Sequence, residues 1–135
     1  MVLETGNSYS EVFSFTQADV EKFAEVSGDD NPLHLDETYA ATTNFKKPIM
    51  HGFLGGSIFS KILGTRFPGP GSVYLKQVLE FKRPMYAGVV YEAIVTITEI
   101  NRTRHTAVLE TKVVDRESGK IAISGEAVIM NSERL

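Results

Sequence analysis

The stretch Gly52-Phe53-Leu54-Gly55-Gly56-Ser57-Ile58-Phe59-Ser60-Lys61-Ile62-Leu63-Gly64 decides the fold. Its large residues, Phe53, Leu54, Ile58, Phe59, Ile62 and Leu63, cover too wide an arc for a helix lying on a surface, and Lys61 is its only charge. A helix that is apolar nearly all round is a buried one. The remaining stripe, Gly52, Gly56, Ser60 and Gly64, is built of small residues, so another element is expected to approach it closely.

What encloses that helix is read from its flanks. Downstream, the Pro68-Gly69-Pro70-Gly71 turn segment precedes four β-type runs, residues 73–82, 89–100, 105–114 and 120–130. The run 89–100 is apolar on both faces, which predicts contact with a second copy of the chain. Upstream, residues 9–15 alternate as a short strand, and Thr16 followed by Asp19 predicts a capped helix. Val20, Phe23 and Ala24 share a face of that helix, and Gly28 sits where a left-handed stop belongs. Pro32 biases Asn31 towards extended geometry, so residues 29–34 are expected not to form regular helix, with a second short helix over 36–42. No repeat or linker interrupts the chain. The reading is a single α+β domain over residues 1–135, a long central helix wrapped by a curved antiparallel sheet.

Composition narrows the function. A chain of 135 residues has the length of one domain and buries roughly two-thirds of its unfolded surface. With 42% hydrophobic and 23% charged residues it is globular rather than disordered. The longest uncharged run, residues 48–60, is too short and too polar for the roughly 20 apolar residues of a membrane span. The first basic residue is Lys22, so neither a secretory signal nor a transit peptide is expected, and the compartment expected is the cytoplasm. The lack of cysteine excludes a disulfide framework and a thiolate nucleophile. The net charge is −3 with Lys and Arg scattered, so no nucleic-acid partner is expected.

Two clusters carry polar chemistry. Ser27-Gly28-Asp29-Asp30-Asn31-Pro32-Leu33-His34 holds two carboxylates, an amide and an imidazole on a bent backbone. Groups of that kind, sharing one water, perform general acid–base catalysis; the same residues also make an ordinary helix stop, an Asx turn and a surface histidine. The second cluster, Pro48-Ile49-Met50-His51-Gly52, opens the buried helix. Main-chain N–H groups there lack helical partners and carry the positive end of the dipole, and glycine admits a ligand oxygen. Equally, Gly52 avoids a clash and His51 is a packed histidine bonded to the backbone. Gly55-Gly56-Ser57-Ile58-Phe59 lacks the final glycine of a nucleophile elbow, and no phosphate-binding glycine loop is present. His34, His51 and His105 show no metal-ligand spacing, so no metal is expected; His105 falls within a predicted strand.

The run Phe23-Ala24-Glu25-Val26-Ser27-Gly28-Asp29-Asp30-Asn31-Pro32-Leu33-His34 resembles the hydratase-2 motif of (R)-specific enoyl-CoA hydratases, Gly-Asp-x-Asn-Pro-x-His. The resemblance continues through Tyr39-Ala40-Ala41, Pro48-Ile49-Met50-His51-Gly52, Gly71-Ser72-Val73-Tyr74-Leu75 and Phe81-Lys82-Arg83-Pro84. It implies the MaoC-like branch of the hot-dog fold, and reversible syn hydration of a trans-2-enoyl-CoA to the (R)-3-hydroxyacyl-CoA. Asp29 and His34 are implied as the catalytic pair, Asp29 as base for the water and His34 for the α-carbon proton. Asn31 is implied to orient the water or His34, and the Gly52 N–H to receive the thioester oxygen. Ser60, Met50, Phe53, Leu54 and Tyr74 are the candidates for substrate contact. No cofactor is implied beyond the coenzyme A of the substrate, and a homodimer or higher homo-oligomer is. Acyl-thioester hydrolysis and non-catalytic thioester binding are the alternatives on the same fold. The family's common Gly-Asp is here Gly88-Val89, a change expected to touch a turn or partner contact rather than the chemistry.

Overall fold

The computed structural model describes residues 2–135. Thr16 begins the first helix as predicted: its hydroxyl accepts from the Asp19 N–H at 3.1 Å, and the Asp19 carboxylate accepts from the Thr16 N–H at 2.9 Å. The helix α1, Gln17–Ser27, ends at Gly28 with φ 80°, whose N–H bonds the Ala24 carbonyl at 2.9 Å. Asn31 is extended, as a residue before proline should be, but Pro32 then starts a one-turn helix α2, Pro32–Leu35. The expectation of no regular helix up to His34 is thereby corrected. Proline at the first helical position loses an N–H that would be unpaired anyway, and its fixed φ suits the turn. Asp36 caps α3, Glu37–Ala41, by accepting from the Tyr39 N–H at 3.0 Å.

The buried helix α4 runs Gly52–Thr65. Before it lies β1, Ser8–Phe13; after it come β2, Val73–Phe81, β3, Tyr91–Asn101, β4, Thr106–Asp115, and β5, Ile121–Met130. They form one antiparallel sheet in the order β1-β3-β4-β5-β2. Phe59, Ile62 and Leu63 of α4 are essentially inaccessible, as are Val95, Leu109, Val113, Ile123 and Ile129 of the inner strands, so helix and sheet share one core. The small stripe of α4 admits β2 at two places. A Cβ added to Gly52 would lie 2.6 Å from the Phe81 ring, and one added to Gly56 would lie 3.1 Å from Leu79. At Gly64 nothing comes within 4 Å, and Ser60 is exposed.

One further local expectation, the strand placement of His105, is corrected, and two others are placed in the fold. The strand β3 lies between β1 and β4, with Ala93, Val95 and Ile97 buried on one face and Ile94 and Ile100 only partly covered on the run's other side. The apolar edge is β2, where Val73, Leu75, Val78 and Phe81 are 43–51% exposed. His105 is not in a strand: it takes φ 57° in the β3–β4 connection, and its Nδ1 bonds the Leu135 carbonyl at 2.7 Å. Gly88 adopts φ 80° and donates to the Phe15 carbonyl at 2.8 Å, so the turn that carries Val89 is intact. No helix among the described residues is long and apolar enough to cross a membrane.

Candidate active site

The loop that leaves α1 is held by short-range bonds that only its particular side chains can make. Ser27 Oγ donates to the Phe23 carbonyl at 2.6 Å and accepts from the Asp29 N–H at 3.1 Å. Asp29 Oδ1 accepts from the Asn31 N–H at 3.3 Å, and Asn31 Oδ1 from the Leu33 N–H at 3.0 Å. Nested turns of this kind are what Asx residues make. Asn31 therefore acts on the backbone: it caps α2 and, through its main-chain carbonyl, accepts from the His34 N–H at 3.0 Å.

His34, nearly buried, is tied to the approach of α4. Its Nδ1 lies 2.8 Å from the Ile49 carbonyl, while the Ile49 N–H donates to the Leu33 carbonyl at 3.2 Å. A carbonyl only accepts, so Nδ1 carries the hydrogen and Nε2 is left for exchange with a ligand. Gln17 Nε2 fixes the His34 carbonyl at 2.9 Å. His51, 2% exposed, precedes the first residue of α4, and its Nε2 lies 2.9 Å from the Asp29 carbonyl. The His34 and His51 rings lie 3.8 Å apart, 30° from parallel, and Phe23 packs on His51 at 4.8 Å.

One carboxylate oxygen of Asp29 and one ring nitrogen each of His34 and His51 thus lie within 4.8 Å of one another. The sequence, read by local spacing, missed this threesome, because His51 joins it through a contact 22 positions away. The two imidazole rings are tilted 30° from one another, and each commits one nitrogen to a main-chain carbonyl, leaving one nitrogen apiece beside the carboxylate. The arrangement suits proton transfer.

Two cavities meet at this cluster. One, about 350 Å³, is lined by Phe23, Ser27, Asp29, His34, His51, Gly52 and Phe53. The other, about 360 Å³, is lined by His34, Phe45, Ile49, Met50, Gly52 and Phe53 together with Phe81, Lys82, Arg83, Pro84, Met85 and Ile123. His34, Gly52 and Phe53 line both. Gly52 opens α4, so its N–H has no helical carbonyl to bond, whereas the Leu54 and Gly55 N–H groups both reach the His51 carbonyl. The Phe81 ring across Gly52 leaves no room for a side chain there, so the clash reading and the ligand reading of Gly52 are compatible.

Of the residues picked from sequence, the structure brings together Asp29, His34, Gly52, Met50 and Phe53, with Asn31 beneath them as a cap. Leu54 lies in the core, Ser60 faces outward on α4, and Tyr74 is half-exposed on β2 with its hydroxyl on Gln77; none of these three lines either cavity. Burial pushes the Tyr74 phenol up to about 12. Lys82, Arg83 and Phe45 were not singled out in the sequence, because only the fold sets the end of β2 and the 42–50 segment beside α4.

Sequence and fold match known proteins. Residues 4–118 match the MaoC-like domain family, and the chain belongs to that family. It is 43% identical over 127 residues to an (R)-specific enoyl-CoA hydratase of Aeromonas caviae, covering 94% of each chain. It is 39% identical over 114 residues to a 3-hydroxybutyryl-CoA dehydratase of Methylorubrum extorquens, covering 84% of this chain and 71% of that one. Among solved structures, the (R)-hydratase from A. caviae superimposes with a TM-score of 0.91 over 96% of this chain and 97% of that chain. The expected hot-dog architecture is thereby confirmed.

Proposed function

We propose that this chain adds water reversibly across the double bond of a trans-2-enoyl-CoA, giving the (R)-3-hydroxyacyl-CoA. The observation that carries the reading is the meeting of the Asp29 carboxylate, the His34 imidazole and the opening N–H of α4 on shared cavity walls. A conjugated thioester is already electrophilic at C3, so the protein needs a placed water, a base, an acid and a donor for the developing enolate. In the hydration direction Asp29 takes a proton from water as the oxygen adds to C3. The Gly52 N–H receives the thioester oxygen, and the proton taken from water passes from Asp29 to the free Nε2 of His34, which delivers it to C2. Asp29 is then again a carboxylate and His34 again the Nδ1–H form, so the pair ends as it began. Nδ1 stays on the Ile49 carbonyl throughout and takes no part in proton traffic.

Delivery of OH and H from one pair on one side of the substrate makes the addition syn. Met50 and Phe53 border the acyl space, and Lys82 and Arg83, which line the same cavity, offer cations to phosphate groups of coenzyme A. The reaction calls for no further cofactor and no metal. A homodimer, in the cytoplasm, is part of the same reading. Its support is the unpaired edge of β2 with exposed Val73, Leu75, Val78 and Phe81, beside Phe53 at 69% exposure, an apolar margin of the kind that partners cover.

The test is loss of enoyl absorbance with crotonyl-CoA, coupled to a dehydrogenase specific for the (R)-alcohol. Turnover to the (R)-product is expected. Release of free CoA from saturated acyl-CoA without hydration would replace this reading with thioester hydrolysis, and binding without either reaction would leave a thioester-binding domain.

A further inference from the structure

His51 is buried, yet its Nδ1 has no hydrogen-bond partner. A leucine or phenylalanine would fill the same space without an orphaned lone pair, so a histidine here needs a reason. Capping is not the reason: His51 occupies the cap position of α4 but its side chain makes no bond to that helix. The ring is turned instead towards the other polar cluster, with Nε2 on the Asp29 carbonyl at 2.9 Å and one face on His34.

That carbonyl only accepts, so Nε2 must carry the hydrogen and Nδ1 the lone pair. The neighbouring His34 is held in the opposite form, with its hydrogen on Nδ1 by the Ile49 carbonyl. Two stacked imidazoles thus hold opposite tautomers, each fixed by a main-chain carbonyl.

Resting on the hydratase reading, we propose that His51 is the positioning residue of the acid–base loop. Its Nε2–H fixes the main chain of Asp29, its ring seats His34, and its own main chain leads directly into Gly52. Carboxylate, imidazole and oxyanion donor are therefore spaced by one residue. The cap position left without a side-chain bond also leaves the opening N–H groups of α4 to the ligand.

The test compares the wild-type protein with His51→Gln and His51→Leu. Glutamine can place an N–H near the Nε2 position, while leucine keeps bulk and loses the donor. With crotonyl-CoA, His51→Leu is expected to lower kcat about 10²-fold with KM within about threefold, as misplacement of a catalytic group by about 1 Å does. His51→Gln is expected to recover to within about tenfold of wild type. Unchanged kcat in His51→Leu, or a folded His51→Gln no better than His51→Leu, overturns the proposal. A second readout needs neither variant nor turnover: long-range ¹H–¹⁵N spectra of the wild-type imidazoles should show His51 as the Nε2–H tautomer and His34 as Nδ1–H. The Nδ1–H form at His51 overturns the proposal even if both variants fail to fold. Absence of wild-type turnover with every enoyl thioester would instead overturn the hydratase reading, and the tautomers would still test the placement.

Discussion

Gly125 on β5 gives the sharpest test of the sheet that frames the site. A Cβ built there would lie 1.7 Å from the Val78 carbonyl oxygen and 2.8 Å from its carbon, both main-chain atoms of the facing strand. Non-bonded heavy atoms settle at about 3.5–4.0 Å, so Gly125→Ala must drive β2 and β5 apart by more than about 1.5 Å. Ladder bonds fail beyond about 3.2 Å, so those flanking the Gly125–Leu79 pair are lost. At about 1 kcal/mol for each bond lost, with some loosening of Leu79, the cost is on the order of 3–4 kcal/mol. At about 3–4 °C per kcal/mol for a domain of this size, the thermal midpoint should fall by about 10–15 °C. Gly64→Ala is the contrast: nothing lies within 4 Å of its Cβ, and it sits in α4. Helical Gly→Ala at an unstrained site should raise stability by about 0.5–1 kcal/mol. Calorimetry of both variants decides the matter; a Gly125→Ala midpoint within about 3 °C of wild type refutes the clash argument.

Asp29→Asn and His34→Ala should each lower hydration turnover by roughly 10²–10⁴-fold, and Asp30→Asn should leave it unchanged; equal effects of the two aspartates would contradict the assignment. The stability of those variants should diverge. Asp29→Asn replaces an exposed side chain, whereas His34→Ala removes the bond to Ile49 and the ring beneath His51, costing about 1–3 kcal/mol in denaturant titration. Acid should loosen the start of α1. The Thr16 backbone N–H holds the Asp19 carboxyl below its ordinary 3.8, so its contribution is present above that pH and lost as pH falls through the lower folded value. Asp19→Asn should therefore flatten the acid limb of the midpoint-against-pH curve, and an unaltered limb would exclude this linkage. Val78→Glu on the β2 edge should shift the protein to monomer in light scattering, since a like-charge pair across a two-fold interface costs several kcal/mol; an unchanged mass would remove β2 from the interface.

Local chemistry made much of this molecule legible. The Thr16–Asp19 box, the Gly28 stop and the apolar girdle of α4 are written in neighbouring residues, and each forms where its pattern lies. The hydratase-2 motif is likewise contiguous, which put Asp29 and His34 side by side before any coordinates. Strand order is different. Nothing in residues 89–100 says that β1 and β4 will flank them. In β2 a register shift at Tyr74/Lys76 interrupts the ladder, and Leu79 packs on the core while Val73, Leu75 and Phe81 stay exposed. His51 read equally as bonded to backbone; its partner could not be named, because that contact exists only once α4 has docked beside the loop.

The sheet order carries a consequence for synthesis. The two strands that bracket the helical segment, β1 and β2, have no partner in each other: β1 pairs with β3 and β2 with β5, the last strand made. A nascent chain arrested before Ile121 holds the complete Asp29–His34 motif and the whole of α4, yet β2 would have neither of its edges paired. The residues proposed to carry the chemistry precede β2, but the cavity wall that includes Phe81 and Ile123 closes only once β5 has been made and has paired with β2. Until then the apolar girdle of α4 lacks much of its cover, and that interval is when the protein is most exposed to aggregation.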